Sequence, residues 1–320
     1  MLRNSLFVLC IFLSTNATSQ YNWDWAVHAG ASNYLGDIGG TDQARRDFIY
    51  DVKLDQTRYV FGAHLRYKAS RTFAITAQFM YGRIQGWDKD TEYGPRRARN
   101  LNFKNNIKEL SIRGEYTLYS DNDLGGRGYY NPDFRFYGFL GLAAVMHNPQ
   151  GYLYEGNKDF EEGWYSLRKL TTEGQDNPYS AFTMAIPMGM GVYFTHIKKY
   201  RFGWELGYRI SLSDYLDDIS GSYAPNNEIS SELGQALANQ TTPEIIDAVF
   251  GNSGEIYNYH YAPGYDGSYR NPRGINNYND GYVFTSLSFG MVVQQKSRYS
   301  KARYNWYNGR KRSKRARAKL

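Results

Sequence analysis

Apolar and polar residues alternate one for one in eight separate stretches of this chain, and beyond its first twenty residues no long stretch follows a helical period. Successive side chains on a strand point to opposite faces, so such a pattern specifies strands with one apolar and one polar face. Trp23, Trp25, Val27, Ala29 and Ala31 alternate with Asn22, Asp24, Ala26, His28 and Gly30. Tyr59, Phe61, Ala63, Leu65 and Tyr67 alternate with Val60, Gly62, His64 and Arg66, and Phe73, Ile75, Ala77, Phe79 and Tyr81 stand opposite Thr72, Thr76 and Gln78. Leu110, Ile112, Gly114, Tyr116 and Leu118 oppose Glu109, Ser111, Arg113, Glu115 and Thr117. A fifth and a sixth strand are expected over about 134–146 and 181–194; Pro187 in the latter cannot donate to a ladder and requires a bulge or frayed pairing there. Phe202, Trp204, Leu206, Tyr208, Ile210 and Leu212 form the apolar face of the seventh strand, and Tyr282, Phe284 and on to about Val293 that of the eighth.

Each stretch holds roughly 10 residues, enough to cross a bilayer when tilted. The connections at 68–71, 120–132 and 196–200 are short, and those at 35–57, 83–106, 147–180 and 215–280 are long and polar. Short and long connections alternate, as they do between the two ends of an up-and-down barrel, and lipid leaves a spanning sheet no tolerable open edge. The expected fold is all-β: an eight-stranded antiparallel up-and-down transmembrane outer-membrane β-barrel with long external loops and a periplasmic C-terminal tail. A soluble β-sandwich would carry the same alternation and is the competing architecture. Trp23, Trp25, Tyr67, Tyr81, Tyr116, Tyr208 and Tyr282 lie near strand ends, where a barrel places its aromatic girdles. Tyr supplies 31 of the 54 aromatic residues, and a mean hydropathy of −0.64 excludes a bundle of membrane helices.

The N-terminus has the form of an export signal. Arg3 gives a basic start, Ser5–Leu13 is apolar, and Ala17-Thr18-Ser19 fits a signal-peptidase site. The expected division is a signal peptide over 1–19, a barrel with four long external loops over 20–295, and a basic aromatic periplasmic tail over 296–320. The location that follows is the cell outer membrane. Cys10, the one cysteine, falls inside the apolar run and leaves with it, which excludes disulfides, multi-cysteine metal sites and thiol redox chemistry.

With apolar side chains toward lipid, the inward faces carry Asp24, His28, Glu109, Arg113, Glu115, Arg135, Glu205 and Arg209. Eight strands make a lumen that side chains can fill, and buried charges need partners. A lumen charge network that plugs the barrel is therefore expected, against the alternative of a polar conduit for a small solute. Of the five histidines, His147 and His260 fall in external loops, His196 in a short turn, and His28 and His64 in strands. No G-x-S-x-G or H-E-x-x-H pattern is present. Asp217-Asp218 could serve as an acid/base pair or calcium ligands, but loop aspartates more often build turns. The chain is expected to be no enzyme, with no catalytic residue, cofactor or metal and no small-molecule substrate.

The last eleven residues hold seven Arg or Lys and no acid, after an alternation of basic and aromatic residues over 299–307. Tyr304, Trp306, Tyr307, Arg310, Lys311, Arg312, Lys314 and Arg315 read as a periplasmic docking arm whose charge steers an acidic partner and whose rings anchor it. A solvated, disordered tail and an arm drawn to anionic lipid or peptidoglycan carboxylates are the alternatives. Nucleic acid is not an expected partner of an exported chain.

Two segments resemble a known family. Ser32-Asn33-Tyr34-Leu35-Gly36-Asp37-Ile38-Gly39-Gly40 leaves the first strand, and Ser213-Asp214-Tyr215-Leu216-Asp217-Asp218-Ile219-Ser220 leaves the seventh. Together with the signal and the loop pattern, they resemble the PorG-like outer-membrane proteins of the type IX secretion system in Bacteroidetes. The resemblance implies a non-enzymatic barrel that anchors or positions a periplasmic ring of a lipoprotein and its ring partner, in contact otherwise with outer-membrane lipid. Anchoring does not explain why both segments lie near the outer strand ends; they are expected to be structural there, with Asp214, Asp217 and Asp218 pairing with Arg45, Arg46 or other loop bases. The alternatives are a small OmpA- or OmpW-like barrel for solute passage or surface binding, and an adhesive role for the last loop.

Overall fold

The computed structural model describes residues 22–39, 53–121, 133–154, 160–197, 199–251, 271–274 and 279–293. The signal segment, Arg45, Arg46, His260 and the whole tail from Tyr304 to Arg315 lie outside the described residues. Ten strands follow in chain order: β1 (Trp23–Leu35), β2 (Arg58–Lys68), β3 (Phe73–Trp87), β4 (Asn102–Asp121), β5 (Asp133–Met146), β6 (Pro149–Leu153), β7 (Gly163–Ser166), β8 (Phe182–His196), β9 (Tyr200–Ser211) and β10 (Gly281–Val292).

Eight of them close a ring. β1 pairs with β2, β2 with β3, β3 with β4, β4 with β5, β5 with β8, β8 with β9, β9 with β10, and β10 returns to β1 from Asp24↔Val292 to Leu35↔Gly281. Every pairing is antiparallel, so the fold is a closed eight-stranded antiparallel β-barrel without a free edge. β6 and β7 form a hairpin that joins the far end of β4 through Lys104↔Gln150.

The exterior inverts the ordinary rule for protein surfaces. Val27, Phe61, Phe79, Leu110, Ile112, Leu140, Leu142 and Leu287 all stand exposed on it, Leu287 to 67%. A continuous apolar wall of this size belongs against hydrocarbon, which makes the barrel transmembrane. Among the described residues no helix is long and apolar enough to cross a membrane; the crossing is made by strands. Trp23, Trp25 and Tyr116 are exposed as a girdle requires, and Trp23 packs on Tyr67 with ring centroids 4.8 Å apart.

Three expectations are corrected or refined. Tyr282 and Phe284 point into the lumen, 0% and 2% exposed, and the outward face of β10 is carried by Leu287 and Phe289. The upper lumen is itself apolar, so alternation alone did not tell inside from outside there. The segment 83–106 is loop only over 88–101: β3 and β4 stay paired to Trp87↔Asn102, well beyond the last apolar pair. At Pro187 the β8–β9 ladder continues through Pro187↔Arg209, while the β5–β8 ladder skips Gly141 and Leu142 and resumes in the same register. The pairing is frayed there, on the side where the missing N–H would have donated.

Candidate functional site

The inner half of the lumen, toward the short turns, is an ion-pair network. Arg113 holds Glu205 in a two-pronged contact of 2.6 and 2.5 Å, and Tyr137 donates to the same carboxylate at 3.1 Å. Glu115 takes Arg66 at 2.7 Å and the Thr76 hydroxyl at 2.6 Å. Asp24 lies between Arg201, Arg66 and His64. Glu109 accepts from Tyr282 at 2.8 Å and from Arg209 at 3.3 Å. Four carboxylates thus meet four guanidiniums, and the charges balance across the lumen. The rings of Phe139 and Phe284 lie against Arg113 and Arg209, with guanidinium carbons 4.3 and 4.4 Å from their centroids.

All eight residues expected to form the lumen network are buried inside the wall. Seven join its central contacts. Arg135 sits at the rim instead, donating to the Arg71 carbonyl at 2.9 Å and lying 3.4 Å from Asp133. His28 meets His64 at 2.6 Å and Ser286 at 3.1 Å, continuing a polar chain to Asp24. Arg66, His64 and Arg201 are the members that sequence reasoning missed. His64 and Arg66 share the inward parity of Val60 on β2 and were legible from it; Arg201 lay at the border of an expected turn.

The outer half of the lumen is apolar. Val60, Met80, Ile84, Phe103, Ile107, Val145 and Phe284 fill it and merge with Ile38, Leu216 and Ile219 of the loops in one core. The space beneath the inner rim, between Lys68, Arg71 and Arg135, measures about 10 Å³, room for one water at most. Two larger grooves, of about 700 and 540 Å³, run along the lipid-facing wall, the first beside Gly114, Gly138 and Gly189.

Above the barrel the long loops fold into a cap, and both family segments are part of it. The Tyr34 hydroxyl reaches Asp217 at 2.7 Å and also Asp280. One hydroxyl proton cannot serve two carboxylates, so one acid of the pair keeps its own. Burial first, then Asp280 and Asp37, push the Asp217 carboxyl well above the usual range, which makes it the neutral member. Gly36 lets this ring fold back, because a Cβ there would fall onto the Tyr34 hydroxyl. Asn33 donates to the Lys53 carbonyl at 3.0 Å and to Thr57 at 2.9 Å. The Ser32 hydroxyl donates to the Arg83 carbonyl, and Leu35 is buried.

Asp218 accepts from Thr172 and, at 2.8 Å, from Tyr179, and lies 3.6 Å from Arg273. Tyr215 stacks on Tyr179 at 4.7 Å, and Tyr179 on His147 at 6.1 Å. The loop base that Asp218 meets is therefore Arg273, while Asp217 meets a tyrosine; the expected pairing with bases holds for one of the two. Asp214 is half-buried on the same loop. Neither aspartate of the Asp217-Asp218 pair is open to a substrate, and His147, which burial pulls down to about 4, is neutral in an aromatic stack.

Two arginines knit the cap. Arg99 grips Asp88 at 2.7 and 3.0 Å and donates to the carbonyls of Asp37 and Arg273 at 2.6 Å each. Arg273 donates to Thr172 and Glu173, to the Asp218 carbonyl at 2.8 Å and to the Ala238 carbonyl at 3.2 Å. Burial raises the Asp218 carboxyl to about 6 against the pull of Arg273. A carboxyl raised on folding stabilises the fold most below its unfolded pKa and loses that contribution as pH rises through its folded one. The cap is therefore expected to be tighter near pH 5 than near pH 7.5, by about 1.4 kcal/mol. Asp218→Asn should flatten that dependence, as read by hydrogen exchange on the 160–180 amides.

The family model described as "Domain of unknown function (DUF6089)" matches residues 3–240. No curated protein matches the chain. Among solved structures, the attachment invasion locus protein Ail of Yersinia pestis, in complex with the heparin analogue sucrose octasulfate, is 9% identical, with 85% of this chain and 98% of that one covered and a TM-score of 0.32. The outer membrane protein OprG from Pseudomonas aeruginosa is 10% identical, with 87% and 99% covered and a TM-score of 0.33. Neisserial surface protein A is 8% identical, with 87% and 98% covered and a TM-score of 0.32.

Proposed function

The chain belongs to the DUF6089 family, and on that premise we propose that it is a non-enzymatic, non-conducting barrel of the outer membrane that anchors or binds partners. The observation that carries this reading is the lumen, filled by paired charges at one end and by an apolar core continuous with the cap at the other. An apolar wall that needs lipid supports the location, and the N-terminal export signal agrees with it. In the finer reading, the barrel anchors the periplasmic lipoprotein ring of the type IX secretion system. Support for that step comes from the two family segments, which share one lock at Tyr34 and Asp217, and from the basic tail. β10 ends at the inner rim, the side where such a ring would lie, and Val293 there still donates to the Trp23 carbonyl at 2.8 Å.

The second reading is a small OmpA- or OmpW-like barrel for surface binding or solute passage; the ordered outer cap favours its surface-binding form. Two measurements separate the readings. In planar bilayers the purified protein is expected to give no stepwise conductance, and regular steps would overturn the sealed lumen. A mild-detergent pull-down from native membranes should recover the ring lipoprotein and its partner with intact protein. Loss on truncation after Gln295 would assign the contact to the tail, and retention would assign it to the inner turns. Recovery of neither, from membranes that hold the ring, would overturn the secretion reading in favour of surface binding.

A further inference from the structure

On the outer wall of β3 and β4, just above the apolar belt, the outward positions change from hydrocarbon to cation. Phe79 pairs with Leu110; one step further out Tyr81 pairs with Lys108, then Arg83 with Asn106, then Gln85 with Lys104. Alternate residues share a face, so Lys108, Lys104 and Arg83 all project from this one sector, over roughly 13 Å of strand. Two of the three side chains are held in place. Arg83 donates to Asn106 at 2.9 Å and lies over the Tyr59 ring, and the Lys104 ammonium sits 3.9 Å from the Trp164 centroid. Among the described residues no carboxylate pairs with any of the three, and Arg83 acts on Lys104 as a like charge. The sector is local: outward positions toward the same end of β1, β8, β9 and β10 are Ala31, Met184, Ile210 and Val283.

Three unpaired cations directly above an acyl-chain surface fit one ligand chemistry, a phosphoryl group on a lipid whose chains lie along the belt below. We infer that Arg83, Lys104 and Lys108 form a binding site for the phosphorylated headgroup of an outer-leaflet lipid. The inference rests on the membrane reading above and adds to it a fixed lipid at one sector of the wall. A lipid seated there would orient the barrel about its own axis relative to its neighbours, which a uniform apolar belt cannot do.

The test uses the full chain in nanodiscs of phosphatidylcholine doped with bisphosphorylated lipid A or with its dephosphorylated form, lipid retention being read by native mass spectrometry. Wild-type protein should retain the bisphosphorylated form selectively. Each of Arg83→Gln, Lys104→Gln and Lys108→Gln should weaken retention about fivefold, and the three together about 100-fold. Lys199→Gln, at the opposite rim, should change nothing. Equal retention by the triple variant, folded by gel heat-modifiability, would overturn the site. Full competition by inorganic phosphate alone would overturn the lipid source and leave a simple anion site. Failure of the wild type to enter nanodiscs would overturn the membrane reading and the site with it; insertion without selectivity would overturn the site alone.

Discussion

Arg113→Leu is expected to cost the barrel about 3–5 kcal/mol of unfolding free energy, the largest loss from any single substitution in the lumen. The guanidinium is fully buried and satisfies Glu205 with two contacts while lying 3.4 Å from Glu115. Leucine would leave a carboxylate inside the wall with only the Tyr137 hydroxyl for company. Removing both partners is a different case. Arg113→Leu with Glu205→Leu should recover most of the loss, because a buried pair replaced by apolar groups of similar volume is close to neutral. Urea unfolding in lipid vesicles, followed by tryptophan fluorescence, checks both variants. A double variant no better than the single would show that the wider network, and not this pair, carries the energy.

Arg273→Ala should act at the other end of the molecule and leave the barrel standing. It abandons Glu173, the Asp218 backbone and the Ala238 carbonyl together, all buried, at a cost of about 3–5 kcal/mol confined to the cap. The expected result is fast proteolysis within 160–180 and 219–251 while the strands stay protected and the gel mobility of the folded barrel is kept. Loss of the folded barrel in this variant would show that cap and wall form one cooperative unit.

The strands were legible because most of the wall separates two unlike environments. On β1 to β4 the lumen takes Asp24, His64, Gln78 and Glu109, the next residue along each strand (Trp25, Leu65, Phe79 and Leu110) faces lipid, and parity follows directly. Legibility failed at β10, where Tyr282 and Phe284 face an apolar outer lumen and both sides of the strand look alike. It failed for Arg201 because the last inward position of a strand and the first residue of a turn are both polar. The cap was hidden for another reason: Arg99 and Arg273 each join backbone carbonyls to side chains brought together by the fold, and no spacing along the chain records that. The family segments were visible as words, and only the fold shows that they address one another.

The Tyr34 contact also has a place in time. It ties the end of the first strand to residues 217 and 280, separations of 183 and 246 positions, the second of them immediately before the strand that completes the ring. Contacts between such distant positions pay their loop-closure entropy first and are rewarded late. The lock can therefore form only once the last strand has found the first, so an assembled cap reports on the outside that insertion has finished within.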